Sequence, residues 1–402
     1  MLSRAEAQLA PAFRRTEKIS RRLTARILDA YAAEGLVRGD LIEAAGYGHD
    51  DPGRDKLDRI FARLFGAEAA MVRLQFVAGT HALVTALSAI VQPGDEILSL
   101  SGPPFPTLEP FFGLRGEQPG SLPERGVSFR HLPLTPEGTV DLAAFEKALT
   151  PQTKVITFQR AKGFEWRPSL SIRQLRDAIR EVRRIAPGRL IFVDNCYGEF
   201  TDLAEPTAVG ADLVAGSLIK NPGGGLVPSG GYVAGRRDLV ERAAIQLTAP
   251  GIGRRGGATF HATRLMAQGL FEAPHKVSQA LKIRMLFAQV FRALGYPVMA
   301  GMPANDTNLA IRLGSREELA AFTDHFNRSC PINAGTGPEP EECPGYDLPL
   351  ICSEGSFVEG ATSELSCDAI WRDPATVYVN GGLNYEHGRI VLERLLAAHP
   401  WA

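Results

Sequence analysis

The chain has 402 residues, of which 45% are hydrophobic and 22% charged, and its 44 basic and 45 acidic residues leave a formal charge of −1 at pH 7. That length suggests two or three structural units with a core that stands without disulfides or structural metal. The even charge balance offers no basic field for nucleic acid or an anionic membrane surface, and no run of about 18 apolar residues provides a transmembrane helix.

The amino terminus, MLSRAEAQLAPAFRR, mixes charge with apolar residues and lacks the h-region and cleavage site of a signal peptide, so a cytoplasmic location is expected. The 5 cysteines, at 196, 330, 343, 352 and 367, are odd in number and none has C-x-x-C spacing. Neither a disulfide framework nor a metal site is expected from them, and the 8 histidines form no H-E-x-x-H.

In chain order, residues 4–34 carry Leu9, Phe13, Ile19, Leu23, Ile27 and Tyr31 at roughly helical spacing, which predicts one or two helices. The polar stretch AGYGHDDPGRD at 45–55 predicts a loop leading into a helix over 54–65, with Asp51 and Pro52 as cap and first turn. From residue 70 onward, short apolar runs alternate with amphipathic ones. Strands are predicted at 70–76, 96–100, 127–132, 154–160, 189–194, 212–217 and 230–235. Between them Gly79-Thr80 opens a helix, Asp141 caps another, and Ser171 with Gln174 forms a capping box for a third. Helices over about 237–247 and 258–271 follow. This alternation predicts an α/β fold whose mostly parallel sheet is covered on both faces. Ligands of such sheets sit beyond the carboxyl ends of the strands.

A further helix over 276–294 leads into an irregular region, 298–402. It holds a strand at 308–313, a helix at 316–328 and a Pro/Gly/Glu-rich loop at 335–347. The expected organisation is a helical segment over 1–45, a large domain over 46–285 and a smaller C-terminal α/β domain over 286–402.

Three features converge on one chemistry. Gly79-Thr80 places a helix N-terminus, a natural phosphate seat, just after a strand. FVDN at 192–195 ends an apolar strand in Asp194. GSLIKNPGGG at 216–225 ends another in Ser217, with Lys220 and a glycine-rich loop beyond it. A strand-end carboxylate followed by a strand-end lysine suits pyridoxal 5'-phosphate. The lysine amine bonds to the cofactor aldehyde, and the carboxylate keeps the pyridine nitrogen protonated so that the ring withdraws electrons. Cys196, beside Asn195, has no Cys-His partner and reads as a small core residue.

With those residues in place, the chain resembles, nearly end to end, the pyridoxal-phosphate proteins of the methionine gamma-lyase or aluminium resistance family. These are relatives of the cystathionine beta- and gamma-lyases. The matching stretches are YGHDDPGRD (47–55), AGTHAL (78–83), FVDNCYGEF (192–200), GSLIKNPGGGLVPSGGYVAGR (216–236), LTAPGIG (247–253) and GGLNYEHG (381–388). The resemblance implies the aspartate-aminotransferase type of fold, fold type I. It also implies carbon–sulfur cleavage of a sulfur amino acid (cystathionine, cysteine or methionine type) by beta- or gamma-elimination. Transamination, gamma-replacement, or a cofactor-holding protein with little turnover are the alternatives.

Residue by residue, the resemblance implies that Lys220 bonds the cofactor and shuttles the proton, and that Asp194 partners the pyridine nitrogen. Ser217, Gly79 and Thr80 become phosphate ligands. Phe105 falls where the lyases stack a tyrosine on the cofactor ring, keeping the stacking without the hydroxyl, and His81 is a second stacking candidate. In the lyases a Tyr-x-Arg element from a neighbouring subunit binds the phosphate. Tyr47 and Arg54 stand in a comparable position at a different spacing, which implies a homodimer or homotetramer with a cross-subunit site. For the substrate carboxylate, a bidentate arginine is expected, with Arg372 the first candidate and Arg160 the second. Tyr197 and Gln159 are expected to line the pocket.

Overall fold

The computed structural model describes residues 1–399 except 43, 117, 302 and 354. The chain starts with the long helix α1 (Leu2–Ala33), whose buried Leu9, Leu23, Ile27 and Ala30 mark one face. Helix α2 (Pro52–Phe65) begins as the sequence predicts. The Asp51 side chain accepts the Arg54 backbone N–H at 2.9 Å, Pro52 takes the first helical position, and Gly66 closes the helix at φ 65°.

Strand β1 (Ala69–Arg73), α3 (Gly79–Ser88), β2 (Glu96–Ser99), β3 (Ser128–His131), α4 (Leu142–Ala148), β4 (Thr153–Gln159), α5 (Ile172–Ile185), β5 (Leu190–Asp194), β6 (Leu213–Ser217), β7 (Gly231–Gly235) and α6 (Arg237–Leu247) follow. Their strands form a seven-stranded sheet in the order β1-β7-β6-β5-β4-β2-β3. The pairs β2–β3, β2–β4, β4–β5 and β5–β6 are parallel, while β7 runs antiparallel to both its neighbours. Central strands are apolar on both faces, as a sheet covered on both sides requires. Ile156, Phe158, Ile191, Val193 and Val214 are each fully buried, worth about 1.5–3 kcal/mol apiece. The register pairs Gln159 with Asp194 and Asp194 with Ala215, so the carboxyl ends of β4, β5 and β6 finish side by side.

Two parts of the chain differ from the expectation. The helices predicted at 258–271 and 276–294 are one helix, α7 (Ala262–Ala293), which runs through Pro274. Pro274 is itself buried, and residues before and after it pack on the core, so tertiary burial overrides the local penalty of an interior proline. The C-terminal region is also more regular than its sequence reads. After β8 (Val298–Met299), β9 (Asn308–Arg312) and α8 (Arg316–Asn327), the strands β10 (Leu350–Ser353), β11 (Ser366–Ile370) and β12 (Thr376–Asn380) complete an antiparallel sheet in the order β10-β11-β12-β9-β8. Helix α9 (Tyr385–Ala398) ends the fold, capped by Asn384, whose side chain accepts the His387 N–H at 2.8 Å. Among the described residues no helix is long and apolar enough to cross a membrane.

Candidate active site

The carboxyl ends of β4, β5 and β6 open into a cavity of about 530 Å³. Its floor comes from the large sheet and α3: Gly79, Thr80, Gln159, Asp194, Tyr197, Ser217 and Lys220. Phe105 lines it too, and the facing wall comes from the C-terminal region, including Cys343, Tyr346, Cys352 and Asp368.

Sequence folds each floor residue into place for a local reason. α3 starts with non-capped N–H groups, since Ala78 makes no side-chain cap, and this leaves the helix end free to receive an anion. Gly79 lets that end approach β6: a Cβ on Gly79 would lie 2.9 Å from the Ser217 Cβ. The Thr80 hydroxyl is held 2.7 Å from that of Thr107. Glycine, two threonines and a serine thus form a small cradle suited to a phosphate.

Asp194 is 9% exposed, and its Oδ1 accepts the Cys196 backbone N–H at 3.0 Å. Burial raises its pKa, opposed by Lys220, the Cys196 N–H and Arg167. Lys220 Nζ sits 4.0 Å from the Tyr197 ring centroid and 5.6 Å from that of Phe105. Burial works against its ammonium, but Cys196, Tyr197, Asp194 and Glu199 outweigh that and hold it above the ordinary lysine range. An amine and a carboxylate therefore share one buried cavity with two aromatic rings and an anion cradle. Gln159 Oε1 is buried without a hydrogen-bond partner among the described residues, an acceptor awaiting a donor. Amine, carboxylate, cradle and unused acceptor fit pyridoxal 5'-phosphate.

The chain matches the methionine gamma-lyase family profile over residues 1–399. It belongs to the methionine gamma-lyase family. Family membership makes it a pyridoxal-phosphate-dependent carbon–sulfur lyase of fold type I that acts on small amino acids. An uncharacterized protein of Bacillus subtilis, YnbB, is 43% identical over 95% of this chain and 91% of its own length. A crystal structure from Clostridium novyi, described as a carbon-sulfur lyase involved in aluminium resistance, superposes with a TM-score of 0.93 at 37% identity, covering 98% of this chain and 94% of that one. The L-methionine gamma-lyase of Pseudomonas putida is 30% identical over 51% of this chain and 46% of its own.

Of the residues singled out from sequence, Lys220, Asp194, Ser217, Gly79, Thr80, Phe105, Tyr197 and Gln159 line this one cavity. The others lie elsewhere. The His81 ring packs edge-on against Phe76 at 5.6 Å, and its Nδ1 accepts the Val77 N–H at 3.1 Å. That bond needs an unprotonated nitrogen, in keeping with a pKa lowered by burial, and the ring is spent on its own loop. Arg54 is 1% exposed. Its guanidinium donates to the carbonyl of Gly48, to that of Gly257 at 3.2 Å and to Asp55, so it ties down the 45–55 loop and has no surface to offer a second subunit. Tyr47 is 79% exposed and stacks on His49.

Neither arginine candidate reaches the cavity. Arg160 is buried and donates to Asn195 Oδ1 at 3.0 Å, to the Gly198 carbonyl at 2.7 Å and to Thr201 Oγ1 at 3.0 Å. Arg372 lies exposed in the turn after β11. Among the described lining residues there is no arginine at all. Sequence reading missed the whole facing wall. The Pro/Gly/Glu-rich loop holding Cys343 and Tyr346 was the one signal, while Asp368 sits on a strand that carries no clean alternation.

Proposed function

We propose that this site eliminates a thiol from a sulfur amino acid, with Lys220 moving the proton at Cα. Pyridoxal 5'-phosphate supplies an aldehyde that takes the substrate amine and a ring that draws electrons from Cα. The protein does the rest. Lys220, just beyond the end of β6, is the single amine lining the cavity among the described residues; it would hold the cofactor and, as a free amine, would be the base for the Cα proton. Asp194, fixed by the Cys196 N–H, would hold the cofactor's pyridine nitrogen and keep it protonated. Gly79, Thr80 and Ser217 receive the phosphate. Phe105 and Tyr197 flank the amine and would pack against the bound cofactor.

The observation that carries this reading is the shared cavity of Lys220 and Asp194 at neighbouring strand ends. Relatives described as a carbon-sulfur lyase and as an L-methionine gamma-lyase support thiol elimination as the outcome. The test is incubation of the cofactor-loaded protein with cystathionine, cysteine and methionine. Keto acid and a thiol product support the reading, and cysteine or cystathionine as substrate with methionine inert would mark beta-elimination. No product from any of the three overturns it.

A second copy of the chain completes the site in this reading. Val77, at the cavity rim, is 79% exposed, as is Tyr47, and Phe260 is 57% exposed. Large apolar groups left open to solvent, one of them at the cavity, support self-association. With Arg54 committed internally, Tyr47 is the residue that would reach a neighbour's phosphate. Five cysteines without a disulfide fit a cytoplasmic address.

A further inference from the structure

A lysine amine rides on a flexible four-carbon stem, so its aim depends on how the backbone beneath it is held. The chain after Lys220 reads Asn-Pro-Gly-Gly-Gly over 221–225, and Asn221 is the one side chain there with hydrogen-bonding groups. Asn221 is 3% exposed and gripped at both ends. Its Nδ2 donates to the Glu199 carbonyl at 3.0 Å, and its Oδ1 accepts the Thr307 hydroxyl at 3.4 Å. The carbonyl can only accept, which fixes the orientation of the amide.

Thr307 is buried just ahead of β9, in the C-terminal region. Its backbone N–H donates to the Tyr197 carbonyl at 3.2 Å. One residue thus holds both the loop that carries Lys220 and the turn whose Tyr197 ring lies 4.0 Å from the lysine amine. Thr307 is immobilised in turn by its neighbour. Asp306, fully buried, accepts Lys162 Nζ at 2.8 Å and the Ser169 hydroxyl, and lies 3.2 Å from Arg284 Nε. The sheet that contains β9 also carries Cys352 and Asp368 of the facing wall. The same frame therefore places that wall and the lysine loop.

We propose that Asn221 and Thr307 are positioning residues for Lys220: the Thr307 hydroxyl, through the Asn221 amide, holds the lysine's backbone against the Tyr197 turn and so sets the aim of the amine. This rests on the reading of Lys220 as cofactor anchor and base. A displacement of about 1 Å at such a group costs on the order of a hundredfold in rate.

The experiment compares Thr307→Val, Thr307→Ser, Asn221→Ala and the double variant Thr307→Val with Asn221→Ala, each loaded with pyridoxal 5'-phosphate. Valine keeps the size of threonine and the N–H to Tyr197 and removes only the hydroxyl. Its kcat is expected to fall about tenfold on the sulfur amino acid that the wild type cleaves, with KM nearly unchanged. Without substrate, the visible absorbance follows the charge on the lysine–cofactor bond beside Tyr197. Its pH midpoint is expected to move by about half a unit or more. Thr307→Ser restores the hydroxyl and is expected to recover both readings. Since the two residues act through one contact, the double variant is expected to be no slower than Asn221→Ala alone. A Thr307→Val protein with wild-type kcat or an unmoved midpoint overturns the proposal. So does a serine variant that recovers neither reading, and so do losses that multiply in the double variant. If the wild type cleaves none of cystathionine, cysteine and methionine, the elimination reading falls, and the absorbance midpoints with their recovery by serine still decide this proposal.

Discussion

The guanidinium of Arg160 donates to the carbonyl oxygen of Gly198 at 2.7 Å, one residue past the Tyr197 ring that flanks Lys220. The turn it braces is strained. Tyr197 and Phe200 have φ of 68° and 59°, in the left-handed region, which costs each roughly 1–3 kcal/mol. Arg160 and Glu205 offset this from opposite ends: Glu205 accepts the Phe200 N–H at 2.8 Å and Asn195 Nδ2 at 2.8 Å, and stands 3.7 Å from Arg160. Arg160→Ala strands a buried carboxylate and frees the turn. Loss of about 3–5 kcal/mol of stability is expected, read as a lower urea midpoint, together with weaker cofactor binding. An unmoved midpoint would refute the bracing role.

Lys220 and Asp194 are expected to fail in different ways. Lys220→Ala removes both the covalent anchor and the base, so visible absorbance of the purified protein should vanish and turnover should drop by about 10²–10⁴-fold. Asp194→Asn keeps the anchor. Its absorbance should persist while kcat falls by about 10²–10³-fold, the scale of losing one positioned electrostatic partner. A variant at position 194 with full kcat would remove the carboxylate from the chemistry.

Gly79 tests the cradle. A methyl there meets the Ser217 Cβ at 2.9 Å, so the N-terminus of α3 must back away from β6. Gly79→Ala is expected to weaken cofactor affinity by about ten- to a hundredfold, as small misplacements of a binding group do. Equilibrium dialysis with pyridoxal 5'-phosphate measures it, and unchanged affinity would place the phosphate elsewhere.

Where the sequence was legible, it was legible through local physics. Asp51-Pro52 and Ser171/Gln174 announced helix starts because their caps are made by neighbours in the chain. The β5 and β6 strands read clearly because burial on both faces makes them continuously apolar, and the strand-end rule then delivered Asp194, Ser217 and Lys220. The arginines misled because long-range partners decide their fate. Nothing near position 160 reveals that its guanidinium will meet Asn195 and Thr201, and nothing near position 54 reveals the carbonyl of Gly257. The β10–β12 sheet was hidden for a related reason. Its strands are four or five residues long and pair across loops, so the Asp368 wall exists only once the chain is folded.

Glu199 gives the fold a pH dependence. It is fully buried, its Oε1 accepts the Tyr232 hydroxyl at 2.8 Å, and its Oε2 has no hydrogen-bond partner among the described residues. Burial pushes this carboxyl from the ordinary 4.5 up to about 8. A folded pKa above the unfolded one means that the folded chain keeps a proton the unfolded chain has lost. The stabilisation is complete below the unfolded pKa and drains away as pH rises through about 8, at up to about 1.4 kcal/mol per pH unit. Glu199→Gln retains the shape and the contact to Tyr232 but cannot titrate. Urea unfolding of both proteins at a series of pH values isolates the effect. The wild-type free energy should fall more steeply than that of the variant between about pH 5 and pH 8, so that their difference declines through that window. Parallel curves would mean that the carboxyl ionises in the ordinary range, with a counter-charge or water beside its second oxygen.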